Sequence, residues 1–457
     1  MEKTIFIPIF QGVEARNVLR TDILEILKKQ AELRIILFVL NKQKEEYFRK
    51  EFLGSNIHFE VFDHYKKPTL NNFFTFLKFI LVRTNSRDAF RKRELAENKN
   101  YLMYFLKFII NRIFARKLIR KIVRGLDWLL VKDDNFSEYF DKYNPDLVLL
   151  AHLFGDAETS MLRQAKKRGI RSVGLINSWD KITTRCMMRL LPDKAIVHNN
   201  IVKAEAIKYV DIPPKDIEVV GIPHYDIYVT NKPTPRENFF KDIKVNPDKR
   251  ILLVCPLGKT YSDVDIEMID AIVEFQLKGL LLDDIQIIVR FPPNDIIDTG
   301  KINNKDKLIL IQPGVRLSSD KERRVDWDMN NNDIQYLLDT LHYMSLIVCH
   351  ASTLAIDSSV FDKPIINYCL KPKGKILPFR DARWIYGLNH YQSILNSGGV
   401  RVVKSKEELL EWINRYLGNS QIDRQGRKRI VEEQCWKLDG KAGERAANFL
   451  LKILDNS

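Results

Sequence analysis

The feature that most constrains the fold of this 457-residue chain is a series of short, almost uninterrupted apolar runs separated by segments with helical periodicity. Examples are TIFIP at 4–8, DLVLLA at 146–151, ILLVC at 251–255, IQIIVR at 285–290 and SLIVCH at 345–350. Strands that are apolar at nearly every position are typical of parallel sheets covered by helices on both faces. The pattern therefore predicts an α/β protein built from doubly wound parallel sheets.

The apolar runs fall into two series, separated by a stretch rich in Pro, Asn and Lys at about 230–250. We predict a Rossmann-like N-terminal domain at 1–230 and a second Rossmann-like domain at 250–430. A terminal helix at 431–457, with apolar residues on one face, is expected to pack back towards the first domain. Ligands of such sheets bind at the carboxyl ends of the strands, so the cleft between the domains is the expected site.

Cysteine usage and the first residues of the chain predict a cytoplasmic protein. The five cysteines form no CxxC motif, and three of them end or line apolar runs, which favours buried reduced thiols over disulfides. The start MEKTIFIPIFQG contains an acid and too short an apolar stretch for a signal peptide, and no apolar run is long enough to span a bilayer. His198 and His224 are not spaced as metal ligands, so neither a metal nor a cofactor is expected.

Positive charge is concentrated in a predicted helical insertion at about 65–140. The formal charge of the chain is +15, and residues 65–125 contain 16 Lys/Arg against 3 Asp/Glu. Large apolar residues recur there at three- and four-residue steps, which predicts an amphipathic helix: Tyr101, Phe105, Phe108, Ile109 and Ile113. The segment suits an anionic membrane surface, or is an ordinary core face with a solvated basic back. Nucleic acid is disfavoured, because the RRM and KH patterns are absent.

The strongest local motif is HASTLAIDSSVFDKPIIN at 350–367. A buried strand is predicted to end at His350, and Ser352 or Thr353 can cap the following helix, leaving N–H groups for a diphosphate. Asp357 lies one helical turn further on, where it could accept hydrogen bonds from ribose hydroxyls. The alternative is a plain helix cap with an acid favoured by the helix dipole.

Two other loops of the second domain carry donor-site candidates. Gly258-Lys259-Thr260 resembles the end of a P-loop, but Leu253 stands where that motif needs glycine, so we exclude a P-loop. Lys259 could approach phosphate or be a solvated loop lysine. Arg290 ends a predicted strand and could bind a diphosphate, or form a structural ion pair.

The catalytic candidates lie in the first domain. In INSWDKITTR (176–185), Asp180 follows a predicted strand, where a carboxylate can take a proton from an acceptor hydroxyl. In AHLFGDAETS (151–160), Asp156 is the second candidate base, beside His152 and Glu158. The two acids of that segment could instead be first-turn residues that favour a helix N-terminus.

The first strand-to-helix loop, IFQGVEARN, is the predicted acceptor site. Gln11, Gly12, Arg16 and Asn17 could line a pocket there. A Ser-His-Asp hydrolase is not favoured, since no GxSxG elbow occurs.

Three segments resemble parts of a known fold family. VVGIPHYDIY (219–228) resembles the segment that closes the first domain of GT-B glycosyltransferase-like proteins, and STLAIDSSVFDKPIIN resembles their donor-nucleotide motif. GKAGERAANFL resembles the terminal helix in relatives of CDP-glycerol glycerophosphotransferases and UDP-N-acetylglucosamine 2-epimerases. The resemblance implies two Rossmann-like domains facing a cleft, a Ser/Thr turn holding diphosphate, and a carboxylate, here Asp357, holding ribose.

The chain departs from these families at three places. The ribose carboxylate is usually Glu, the Trp-His of the glycerophosphotransferases resembles Trp179-Asp180 here, and their His-Pro is replaced at Pro292-Pro293. We therefore expect a metal-independent glycosyltransferase that moves a sugar from a nucleotide-activated donor to a cell-surface glycan or lipid-linked acceptor. It would be cytoplasmic and peripheral at the inner face of the plasma membrane. Polyol-phosphate transfer, sugar-nucleotide 2-epimerisation and a non-catalytic nucleotide-sugar or membrane-binding role are the alternatives.

Overall fold

The computed structural model describes residues 2–282, 284–295, 297–317, 327–372 and 380–456. Its first sheet has seven parallel strands in the order β3-β2-β1-β4-β5-β6-β7. These strands are β1 (Lys3–Pro8), β2 (Leu33–Val39), β3 (Ile57–Val61), β4 (Leu147–Leu150), β5 (Arg171–Leu175), β6 (Lys194–Val197) and β7 (Ile217–Val219).

The second sheet has six parallel strands in the order β10-β9-β8-β13-β14-β15, and β11 and β12 form a short antiparallel pair beside it. The strands are β8 (Arg250–Cys255), β9 (Ile285–Arg290), β10 (Leu308–Ile311), β11 (Val315–Arg316), β12 (Trp327–Asp328), β13 (Met344–Cys349), β14 (Ile365–Tyr368) and β15 (Arg401–Val403). The prediction of two Rossmann-like parallel-sheet domains is confirmed.

Helices cover both faces of each sheet. Those that precede β8 are α1 (Gly12–Glu14), α2 (Asp22–Leu27), α3 (Lys42–Glu51), α4 (Asn71–Ile80), α5 (Asn85–Asn98), α6 (Tyr101–Phe114), α7 (Lys117–Leu130), α8 (Ser137–Tyr143), α9 (Asp156–Lys167), α10 (Lys181–Arg185), α11 (Asn200–Glu205), α12 (Ile227–Thr230) and α13 (Arg236–Asp242). The others are α14 (Asp265–Leu277), α15 (Asn331–Tyr343), α16 (Leu354–Val360), α17 (Asn389–Ser397), α18 (Lys406–Gly418), α19 (Arg424–Cys435) and α20 (Ala442–Asp455).

The sequence did not indicate the three-residue edge strands β7 and β15 or the two-residue strands β11 and β12, which have too few positions to show a pattern. The helical segment that follows β1 is interrupted. A π turn over Ala15–Leu19 continues α1, and Thr21 then caps α2 by accepting a hydrogen bond from the Ile23 N–H. A Thr side chain that competes for backbone groups favours such a break.

Contacts from both ends of the chain join the two domains. Arg20, after the π turn, forms a buried ion pair with Asp328 of β12 at 2.5 Å. At Gly12 an added Cβ would lie 2.1 Å from the Trp327 carbonyl oxygen, so only glycine allows this close approach. The helix α20 packs Ala446 and Leu450 into the core of the first domain, against α2.

The helices α4–α7 form the insertion and reach the second domain. The Ser86 N–H donates to the Asn389 side chain at 2.8 Å, and the Ser86 hydroxyl accepts from the Asn389 N–H at 2.9 Å. Thr84 donates to the Thr183 carbonyl at 2.9 Å, which joins the same end of α5 to α10. The insertion thus forms one wall of the space between the domains.

Candidate functional site between the two sheets

The predicted ribose carboxylate is buried at the interface of the domains. Asp357, on α16, accepts a hydrogen bond of 2.6 Å from the Tyr228 hydroxyl, and burial raises the pKa of Asp357. Tyr228 belongs to the GIPHYDIY segment, from which the sequence analysis assigns no residue to the site.

One cation and two tyrosine hydroxyls act on this carboxylate, since Arg16, Tyr228 and Tyr225 all lower its pKa. In the same cleft, three buried polar atoms have no hydrogen-bond partner in the described chain: Arg16 Nε, Arg290 Nη1 and Ser352 Oγ. Arg290 ends β9, is almost fully buried and has its pKa lowered by burial. Buried donors are normally satisfied, so this set is a candidate ligand-binding site. Both guanidinium groups would suit an anionic ligand.

A crevice of about 270 Å³ opens beside these groups, between α12 and α15. Arg16 and Tyr228 line it from the first-domain side, and Asn331 and Gln335 line it from the second. It contains polar side chains on an apolar floor that includes Met329, as expected of a pocket for a flat polar ring.

The Gly258 loop is shaped by His350. His350 Nε2 lies 2.8 Å from Asp265 Oδ1, and the other carboxylate oxygen of Asp265 accepts the Gly258 N–H at 2.8 Å. Gly258 has φ +99°, and an added Cβ would lie 2.6 Å from Asp295, so glycine is required there. His350 therefore positions the Gly258 loop through Asp265. Lys259 is exposed.

The turn at 352–353 differs from the prediction in one respect. Neither Ser352 nor Thr353 caps α16, because no side-chain cap hydrogen bond is formed. Thr353 is exposed and Ser352 half-buried, so side chains do not fill this position. Ala351, the preceding residue, lines the larger cavity between the domains.

That cavity, of about 520 Å³, contains Asp180 in its wall. Burial favours the neutral acid, but Lys181 and the hydroxyl donated by Ser178 outweigh it and hold the pKa of Asp180 below its ordinary value. Asp180 is thus ionised at neutral pH. Since Leu257 and Ala351 line the same cavity, the carboxylate faces the two donor-side loops.

Asp156 lies apart from both cavities. It accepts a hydrogen bond of 2.8 Å from the Asn71 side chain and lies 3.9 Å from Arg189, which also binds the buried Asp127. It is the first residue of α9, which agrees with the alternative that Asp156 is a first-turn acid favouring the helix N-terminus. These contacts make Asp156 part of a structural network that holds α4 and α7 on the sheet.

The structure also shows a buried acidic pair that the sequence did not single out. Glu14 and Glu158 lie behind Asp180 at the carboxyl edge of the first sheet, and burial raises the pKa of each. The charge of Glu158 disfavours ionisation of Glu14, the charge of Asp156 disfavours ionisation of Glu158, and Lys181 opposes both effects. Glu14 accepts the N–H groups of Phe10 and Gln11, and its Oε1 has no partner. Buried acids with raised pKa values are candidates for proton transfer.

The predicted acceptor loop is only partly available. Asn17 is fully buried, donates to the Val13 carbonyl at 2.7 Å and contacts His224 at 2.9 Å, so it cannot line a pocket, and this prediction is wrong. Gly12 is pressed against the second domain and is likewise closed off. Gln11 is half-buried at the start of α1, and Arg16 lines the crevice near Asp357, on the donor side.

The described part of the chain contains no group of three or more His, Cys, Asp or Glu that could hold a metal ion. All five cysteines are free. Of the three in apolar runs, Cys255 and Cys349 are buried as predicted, whereas Cys369 is half-buried.

The surface of α6 and α7 exposes large apolar side chains next to unpaired cations. Exposed apolar side chains run along both helices: Tyr101, Leu102, Met103, Phe105, Leu106, Ile109, Ile113, Phe114, Leu118, Ile122, Leu126, Trp128, Leu129 and Leu130. Arg116, Lys117 and Lys121 are exposed beside them and form no ion pair with a described residue. The interpretation of α6 as an ordinary core face is therefore wrong. No helix within the described ranges is long and apolar enough to cross a membrane.

Comparison with known proteins gives a fold. No protein-family profile matches the chain, and no curated protein sequence matches it. Solved structures do match: the UDP-GlcNAc 2-epimerase of Neisseria meningitidis bound to UDP-GlcNAc (TM-score 0.52, 11% identity, 99% of this chain and 100% of that one) and a glycosyltransferase of Rickettsia africae (0.51, 13%, 100% of both). The wall teichoic acid polymerase TagF also matches (0.53, 12%, 100% of this chain and 90% of that one). The fold is thus GT-B-like, and the likeness at this identity is distant.

Proposed function

We propose that the protein is a glycosyltransferase that transfers a sugar from a nucleotide-activated donor to a cell-surface glycan or lipid-linked acceptor. One observation carries the proposal: in the cleft between the two sheets, buried polar atoms of Arg16, Arg290 and Ser352 have no partner among the described residues, and Arg16 acts on the buried carboxylate of Asp357. The fold neighbours support it, since one of them is bound to UDP-GlcNAc and another is a glycosyltransferase.

The donor would lie across the interface. Asp357 would exchange the Tyr228 hydroxyl for ribose hydroxyls, while Arg290, Arg16 and the Ser352 hydroxyl would bind the diphosphate. The raised pKa of Asp357 is consistent with a carboxylate that can accept further hydrogen bonds. Each hydrogen bond from ribose would favour the charged form of the carboxylate.

Transfer would then take place in the larger cavity. The acceptor oxygen forms a bond to the anomeric carbon, and the bond between that carbon and the diphosphate oxygen breaks. The nucleoside diphosphate leaves with the electron pair, and Asp180 takes the hydroxyl proton. Arg290 and Arg16 stabilise the charge that develops on the leaving group.

The exposed face of α6 and α7 supports docking on an anionic membrane from the cytoplasmic side. Leu118, Ile122 and Leu126 follow at four-residue steps, and Lys117 and Lys121 flank that row. An apolar face rimmed by cations is the arrangement of helices that lie in the interface of a bilayer. Each basic residue near an anionic surface contributes about 1 kcal/mol.

Donor binding is tested by thermal unfolding in the presence of UDP, GDP, CDP and CMP. A nucleotide at about 100 times its dissociation constant should stabilise the protein by about 2.7 kcal/mol. Arg290→Gln and Asp357→Asn should each weaken that nucleotide at least tenfold. Arg429→Gln and Asp306→Asn, at exposed positions of the same domain, are matched controls that should not. If none of the four nucleotides raises the midpoint at millimolar concentration, the proposal is wrong.

A further inference from the structure

The cavity of about 520 Å³ has walls that the proposed donor site does not use. One wall is the insertion helix α5 with the end of α4, another is the loop of Asp180, and the third is the 3-10 helix Ala382–Gly387 of the second domain. Its volume suits a ligand of one or two sugar rings. Because Asp180 and Ala351 both line it, a molecule held there lies next to the candidate base and to the diphosphate turn.

Aromatic side chains form the apolar part of this cavity. The rings of Phe90 and Trp384 pack edge to face at 5.2 Å, and the Arg93 guanidinium lies 5.3 Å from the Trp384 ring. Trp384 Nε1 is buried and has no hydrogen-bond partner in the described chain. A ring that offers an apolar face and an unused N–H matches a sugar, which presents C–H groups on one face and hydroxyls at its edge.

Two arginines of the cavity have no carboxylate within ion-pair distance among the described residues. Arg87 donates to the Phe79 carbonyl at 3.1 Å and stacks on the Phe79 ring, and Arg185 is exposed at the end of α10. The acids of the same wall have other partners, since Glu94 pairs with Lys107 and Glu97 with Arg93. The cavity wall contains three arginines and three acids, Asp180 included, so its charges balance. Arg87 and Arg185 differ from Arg93 in having no ion-pair partner among the described residues.

These features differ from those of the predicted acceptor loop, where Gly12 and Asn17 are closed off. We infer that the cavity between α5, Asp180 and Trp384 is the acceptor site, and that the acceptor carries a phosphate or pyrophosphate next to the sugar it presents. This inference rests on the proposed function. The sugar ring lies against Trp384 and Phe90, and the anion lies between Arg87 and Arg185. The accepting hydroxyl then reaches Asp180.

Two sources share this chemistry: a glycan on a prenyl pyrophosphate carrier and a soluble polyol-phosphate chain. The test uses N-acetylglucosamine linked by pyrophosphate to a short prenyl chain, a short oligo(glycerol phosphate), and the neutral octyl N-acetylglucosaminide. Binding is measured by calorimetry on the full chain, with and without the nucleotide that gives the largest thermal shift. The first two probes show which of the two sources is bound. The third probe has the sugar but no phosphate, so it measures binding without the anion.

At least one phosphate-bearing probe should bind about tenfold or more tightly than the neutral one, and Arg185→Gln should remove that difference. Trp384→Phe, which deletes the unused N–H, should weaken every probe that binds. Arg429→Gln is the matched surface control. The inference is overturned if no phosphate-bearing probe binds, if the neutral probe binds equally well, or if Arg185→Gln binds every probe as the unmodified protein does. Nucleotide binding is measured in the same samples, so a failure of the donor site is seen separately.

Discussion

The interdomain cleft and the surface of α6–α7 depart from the usual rule of burial in opposite directions. In the cleft, polar atoms such as Arg290 Nη1 and Ser352 Oγ are buried without partners among the described residues. On the surface, side chains such as Leu102 and Leu129 are exposed. Both arrangements cost free energy in the isolated chain, the first because buried polar groups lose their hydrogen bonds to water and the second because apolar surface stays hydrated.

The difference teaches that composition alone does not say which kind of ligand a segment meets. The insertion is basic and apolar throughout, yet Arg91 of α5 is buried, with hydrogen bonds to Asn111 and Asp88. Lys117 of α7 is exposed and unpaired. The first is an internal tie between α5 and α6, and the second lies on the exposed face of α7.

The largest effect is expected at the catalytic side of the cleft. Asp180→Asn should lower turnover at least 100-fold while leaving donor affinity unchanged, because general-base catalysis contributes about 10²–10⁴-fold. Turnover and nucleotide affinity are measured on the same preparation. Asp156→Asn is the matched variant and should change turnover little, as its contacts are structural. If Asp156→Asn is the more damaging of the two, the order of the two candidate bases is reversed.

The pH dependence of turnover sharpens the same assignment. The pKa of Asp180 lies below its ordinary value, so this base is already ionised above about pH 4. A decrease in turnover on the acidic side of neutrality cannot then come from Asp180. Glu14 and Glu158 have raised pKa values, so we would assign such a decrease to protonation or deprotonation of this pair. Glu158→Gln should then shift or remove the decrease in turnover. If the decrease in turnover persists unchanged in this variant, Glu158 takes no part in proton transfer.

A smaller effect is expected on the membrane side of the comparison. The double variant Lys117→Glu/Lys121→Glu should weaken binding to vesicles containing phosphatidylglycerol by about tenfold or more, and Leu118→Ser/Ile122→Ser should weaken binding further at high salt. Co-sedimentation with vesicles measures both. Lys428→Glu/Arg429→Glu reverses the same charge on an exposed part of α19 and is the control. Equal losses in the two charge-reversal variants would show a nonspecific attraction and no dedicated face.

The smallest effect concerns the stability of the buried acidic pair. Burial raises the pKa of Glu158 above its unfolded value, so the folded state holds an extra proton between the two values. The free energy of unfolding should therefore fall as the pH rises from about 4.5 towards 7. Glu158→Gln should lose the part of this dependence that comes from Glu158, keep the part that comes from Glu14, and be the more stable protein at pH 8, by on the order of 1 kcal/mol. Parallel denaturation curves for both proteins across this range would contradict the assignment.

Most of the second-domain half of the site was visible in the sequence. The apolar run ending at Cys349, the Ser/Thr turn and Asp357 are adjacent in the chain, so one motif indicated all of them. Tyr228, by contrast, meets Asp357 across 129 residues, and nothing in its own segment indicates that its hydroxyl would bind that carboxylate. Glu14 appeared as one more acid at the start of a helix.

The sequence by itself determined the two parallel sheets, because strands buried on both faces must be apolar at nearly every position, and that requirement is local. It also located the basic insertion and the donor motif. Only the tertiary structure decided that Asp180 faces the cavity and Asp156 does not, that Asn17 is closed off, and that the apolar residues of α6 point outward. Helical periodicity shows that a helix has an apolar face, but whether that face meets a core, a partner or a bilayer depends on what other segments cover, and those segments lie far away in the chain.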